Sequence, residues 1–252
     1  MKTSCAMSRL WSLQLILNLS IQLSTSLPVM AMRKSFDSPL ALSRQCVVVL
    51  TESWRSSEGT LQCFERDSTN SAWRRHGVVV PVVIGRNGLA WGDRKAGEPQ
   101  KREGDLRSPA GAFRLSGAFG TEPKASTRLP YRQLTEDTIA VDDPESRFYN
   151  RIIEGRSVAK RDWRSAEKMG LNPLYRLGVF VDYNVELPSP GAGSCIFLHV
   201  WRGPTSPTAG CTALVEKHLA ALIRWLDPAA RPMLIQLPRE QARLLRKDWG
   251  LP

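Results

Sequence analysis

The sequence predicts a mainly β domain with a few helices, and three observations carry that prediction. Glycine and proline, 18 and 17 in number, punctuate the chain densely from Ser43 onward, most apolar runs are short, and helical periodicity is clear only near the C-terminal end. With 252 residues, 42% of them hydrophobic, the chain is long enough to bury one substantial core. That composition argues against a disordered chain, a collagen and a multi-span membrane protein.

The first thirty residues stand apart. Lys2 and Arg9 precede a mostly apolar run from Leu10 to Leu23, and no acidic residue occurs before Asp37, which is the pattern of a secretory signal. Ser12, Gln14, Asn18, Ser20 and Gln22 dilute the run, and it is too short to span a bilayer comfortably, so no stable membrane span is expected in the mature form. Val29-Met30-Ala31 offers small or aliphatic residues to a signal peptidase. The expected division is a signal peptide over 1–31, a short linker over 32–43 and one domain over 44–252. Cleavage removes Lys2, Arg9 and no acid, taking the net charge from +11 to +9, and leaves four of the five cysteines.

Within the domain, Cys46–Leu50 reads as a β-branched strand, Ser53–Gly59 as a turn and Thr60–Phe64 as the returning arm of a hairpin. Cys46 and Cys63 fall on opposite arms, where a disulfide is one reading in an oxidising compartment. Val78–Ile84 is the next strand, closed by Gly85-Arg86-Asn87-Gly88, in which Asn-Gly favours a tight turn with positive φ. Further strands are expected at Ala110–Leu115, Ile139–Asp142, Val179–Tyr183, Cys195–His199 and Met233–Leu237. Leu214, Val215, Leu219, Leu222, Ile223 and Leu226 recur at spacings of three and four, so Thr212–Leu226 reads as an amphipathic helix stopped by Asp227-Pro228. A shorter helix is expected at Arg239–Trp249.

Lysine and arginine number 35 against 24 acids, an excess that suits nucleic acid, lipid headgroups or an acidic polymer. The basic residues are scattered and no zinc or RNA-recognition motif accompanies them, which argues against nucleic acid. Five cysteines with no Cys-x-x-Cys pair argue against a disulfide scaffold and a zinc cage, so neither a metal nor a cofactor is expected.

The informative stretch runs from Cys195 to Leu214. A strand ends at His199, a loop rich in glycine and proline follows, and Cys211 sits after Gly210 at the start of the expected helix. A helix N-terminus stabilises an anion and lowers a thiol pKa, and its free N–H groups can hold an oxyanion. A histidine within reach would take the thiol proton and return it to a leaving amine. This is the composition of a thiol acyl-transfer site.

The segment resembles the catalytic motif of the YkuD-type L,D-transpeptidases: a histidine, a short loop, then Ser/Thr-x-Gly-Cys. Ile84-Gly-Arg-Asn-Gly88, Lys101 to Gly111, Phe148-Tyr-Asn150 and Trp249-Gly-Leu-Pro252 extend the similarity over roughly 45–252. The resemblance implies a β-sandwich-like catalytic domain, exported to the periplasm or cell envelope of a bacterium, with peptidoglycan stem peptides as partners. It assigns Cys211 as nucleophile, His199 as base and then acid, the Gly210 and Cys211 N–H groups (with Ala209 as a further candidate) as the oxyanion hole and Thr208 as loop support. A carboxypeptidase using water, or an inactive peptidoglycan-binding module, are the alternatives it leaves open.

Two positions depart from the family pattern. Ala209 stands where many members carry histidine, and Ala213 where many carry arginine. Arg202, Arg86 and Arg151 are candidates to supply the missing cation. Trp201, Tyr149 and Asn150 are candidates to line the cleft. Glu103 and Asp105 are candidates for substrate amines, and Lys101, Arg102 and Arg107 for carboxylates, against the plainer reading of a solvated loop.

Overall fold

The computed structural model describes residues 38–93, 97 and 99–252, so the expected signal peptide over 1–31 lies outside the described residues. The strands are β1 (Gln45–Thr51), β2 (Glu58–Glu65), β3 (Arg74–Val83), β4 (Leu89–Trp91), β5 (Ser108–Gly120), β6 (Tyr131–Gln133), β7 (Thr138–Val141), β8 (Arg151–Glu154), β9 (Ala166–Lys168), β10 (Leu177–Val181), β11 (Phe197–Val200), β12 (Thr212–Leu214) and β13 (Met233–Pro238). The two α-helices are α1 (Glu216–Trp225) and α2 (Arg239–Trp249).

The main sheet runs in the order β10, β11, β12, β3, β2, β1, β13, β5, β4. β5 pairs with β13 through Gly111–Arg114 and with β10 through Leu115–Gly120, so the sheet closes on itself as a barrel. The fold is mainly β with few helices, as expected, and the two faces of the anticipated sandwich are continuous. A second sheet, in the order β8, β7, β9, forms a separate layer. The barrel is filled by residues such as Val47, Val49, Leu61, Leu115 and Leu198, all 2% exposed or less. No helix among the described residues is long and apolar enough to cross a membrane.

The structure corrects four expectations. The helix expected from Thr212 starts at Glu216, because Thr212–Leu214 is β12, wedged between β11 and β3. An apolar run shared by a strand end and a helix start looks like one period. The strand expected at Ala110–Leu115 is longer at both ends, running from Ser108 to Gly120 as β5. Cys46 and Cys63 are free thiols: the register pairs Cys46 with Phe64 and Cys63 with Val47, which puts the two side chains on opposite faces of the sheet. Finally, packed chain reaches into the expected linker over 32–43. Leu40 is 1% exposed, and the Arg66 guanidinium donates to the Leu40 and Ser43 carbonyls.

Candidate active site

β11 and β12 are parallel neighbours, and the loop crossing between them carries the informative motif. His199 lies on β11 opposite Ala213, and Cys211 immediately precedes β12. Adjacent parallel strands deliver both side chains to one cleft of about 460 Å³. The loop is fixed from two sides. Ser108 Oγ donates to the Cys211 carbonyl at 3.1 Å and accepts from the Gly85 N–H at 2.9 Å. Thr208 Oγ1 donates to the same carbonyl at 2.6 Å and accepts from the Gly210 N–H at 3.1 Å. The Arg86 N–H, in the turn after β3, holds the Thr208 carbonyl. Gly85 is required there, since a Cβ would lie 2.6 Å from the Leu106 carbonyl oxygen.

Tyr175 and Cys211, which line the cleft, pack in one cluster with Phe119 and Phe197. The Tyr175 ring meets the His199 imidazole edge to face at 5.2 Å, and its hydroxyl donates to Glu167 at 2.6 Å. His199 Nδ1 lies 2.8 Å from the Val200 carbonyl. A carbonyl only accepts, so Nδ1 carries the proton and Nε2 is the unprotonated nitrogen. Burial pulls the His199 pKa down to about 4, with the Val200 bond opposing.

The thiol differs from its sequence-based description. Cys211 is not at a helix N-terminus, and burial pushes its pKa up to about 12; the Phe197 N–H and Lys101 act in the opposite direction. The Phe197 N–H donates to Sγ at 3.3 Å, and Sγ points at the Cys195 carbonyl at 3.5 Å. Both shifts favour a neutral thiol and a neutral imidazole in the same cleft, rather than a preformed ion pair.

Among the other candidates, Arg86, Arg202, Thr208, Ala209 and Gly210 line the cleft. The Gly210 N–H, expected to be free for an oxyanion, is occupied by Thr208. Tyr149, Asn150 and Trp201 do not line it. Tyr149 donates to Glu103 at 2.6 Å and accepts from the Gly193 N–H. Burial, then the bond to Glu103, raises its pKa. Asn150 accepts from the Cys195 N–H and so braces the strand leading to His199. The Trp201 N–H bonds to Leu214. Of the charged loop, Lys101 and Glu103 reach the cleft while Asp105 instead pairs with Lys101 at 2.7 Å.

The residues that sequence reasoning passed over are Tyr175, Glu167 and Asp142, which line the cleft from the β7–β9 layer and the turn before β10. Asn172-Pro173 was the available signal for Tyr175, since the Asn172 side chain caps the short 3-10 turn that carries it. Searches of curated proteins and of solved structures returned no match. A family model, the YkuD L,D-transpeptidase catalytic domain, matches residues 55–235, a span containing the crossover loop and its cleft, and the chain belongs to that family.

Proposed function

We propose that the protein is an exported peptidoglycan L,D-transpeptidase working through Cys211 and His199. What supports this reading is the tautomer: the Nδ1 proton is committed to Val200, so Nε2 is the available base in the cleft that also holds the thiol. The thiol swings away from the Cys195 carbonyl toward Nε2. As the thiol attacks the carbonyl before the terminal D-alanine of a tetrapeptide stem, its proton passes to Nε2. The tetrahedral oxyanion falls to the Cys211 N–H, and the Gly210 N–H joins only by leaving Thr208. Collapse breaks the C–N bond, and the imidazolium gives its proton to the departing D-alanine amine. An amine of a neighbouring stem then attacks the thioester, Nε2 takes its proton, the crosslink forms and the thiol is regenerated.

Arg86 and Arg202 stand at the cleft without a carboxylate partner among the described residues, and serve the stem's carboxylates. The decisive experiment incubates the folded mature chain with a carbapenem and with disaccharide tetrapeptide. Mass spectrometry is expected to show a Cys211 adduct and released D-alanine. Neither signal would leave only a binding module, and release without a crosslinked dimer would make the protein a carboxypeptidase.

A further inference from the structure

A second groove, of about 450 Å³, runs between α2 and the sheet formed by β1, β2 and β3, and shares no residue with the catalytic cleft. Arg75, Arg239, Arg243 and Arg246 line it, and no carboxylate side chain does. Positions 239, 243 and 246 follow helical spacing, so three guanidiniums project from one face of α2. Arg239 and Arg243 make only exposed pairs, with Glu52 at 3.4 Å and Glu240 at 3.9 Å, which hold them weakly. Arg75 and Arg246 have no ion pair among the described residues. The rest of the lining includes Val48, Leu50, Phe64 and Val79. Val79 is 56% exposed, an apolar step on the groove's rim, and Val78 beside it in sequence is 69% exposed.

We propose that this groove docks the protein on an anionic phospholipid surface, with the guanidiniums on headgroup phosphates and the valine step against the glycerol and acyl boundary. Charge complementarity argues for an anion, and the apolar lining chooses among anions. A hydrophilic polyanion such as the wall polymer gains nothing from Val79 and Phe64, whereas an amphiphile satisfies both halves of the groove.

The test is sedimentation of the chain from Met32, which contains every described element and lacks the apolar leader, with phosphatidylglycerol-containing vesicles and with pure phosphatidylcholine vesicles. The expected result is pelleting with the anionic vesicles alone. Arg243→Ala with Arg246→Ala weakens it by roughly 25-fold, about five-fold per cation removed. Val79→Asn weakens it at unchanged charge. The thermal midpoint and circular dichroism of each variant report folding independently of any enzymatic activity. Equal pelleting with both vesicle types, or no loss in the double variant, overturns the proposal. Displacement by free glycerol phosphate, or binding to purified sacculi in place of vesicles that the double variant loses, overturns it as well.

Discussion

Two regions of this molecule each hold a pair of cysteines, and among the described residues only one pair lines a cleft that also holds a histidine. On β1 and β2, Cys46 and Cys63 are buried on opposite faces of the sheet, and burial raises both thiols, Cys63 to about 12. In the cleft, burial raises Cys195 and Cys211 in the same way, Cys211 to about 12. A perturbed thiol is therefore no mark of a nucleophile here. The difference lies in the neighbours. Cys63 is surrounded by core side chains, whereas Cys211 opens on a cleft with a backbone N–H on its sulfur, a cation acting on it and a histidine with a free Nε2. Burial favours the neutral thiol at rest, and in the proposed mechanism the proton leaves to the base in the same step as attack.

The largest test of that contrast is Cys211→Ser, which is expected to eliminate the carbapenem adduct in intact-mass spectra, while Cys63→Ser leaves it in place. Next, His199→Gln is expected to slow acylation by about 10²- to 10⁴-fold in single-turnover kinetics. An unchanged rate would assign the base elsewhere. The pH dependence follows from the same residue. With the folded His199 pKa near 4, acylation persists at pH 5 and falls as pH drops through about 4. The unfolded value is higher, near 6.5, so the unfolded state binds the proton first on acidification. Its contribution to stability is complete above about pH 6.5 and is lost on the way down to about pH 4, on the order of 3 kcal/mol. Denaturant titrations at both ends of that window measure it, and His199→Gln should flatten the difference. The smallest effect is Cys63→Ala, expected to cost about 1 kcal/mol in the same titrations without changing acylation.

The barrel's strands were legible wherever short apolar runs were bounded by turn residues, as at Cys46–Leu50 and Met233–Leu237. The short ones were not: β12 is three residues long, and its burial comes from β11 and β3 rather than from any local pattern. That single misreading carried a chemical error with it, since a helix dipole was assigned to a thiol whose loop feeds a strand. Cys211 and His199 were visible because the motif is contiguous. Tyr175 and Glu167 lie some 25 to 45 residues upstream of them and reach the cleft only through the layer that packs over it.

The closure of the barrel sets the order in which it can be made. β1 takes β13 as a parallel neighbour, Cys46 opposite Met233 and Thr51 opposite Pro238, so the first strand of the sheet waits for the last among the described residues. β5, in mid-chain, waits for the same segment. Such non-local pairing makes the search slow and loop closure costly, and it leaves two open edges on every chain still short of Met233. A polypeptide held unfolded until its C-terminal segment is free avoids that exposed stage altogether, and truncation just before β13 is expected to yield an aggregating chain rather than a weakened one.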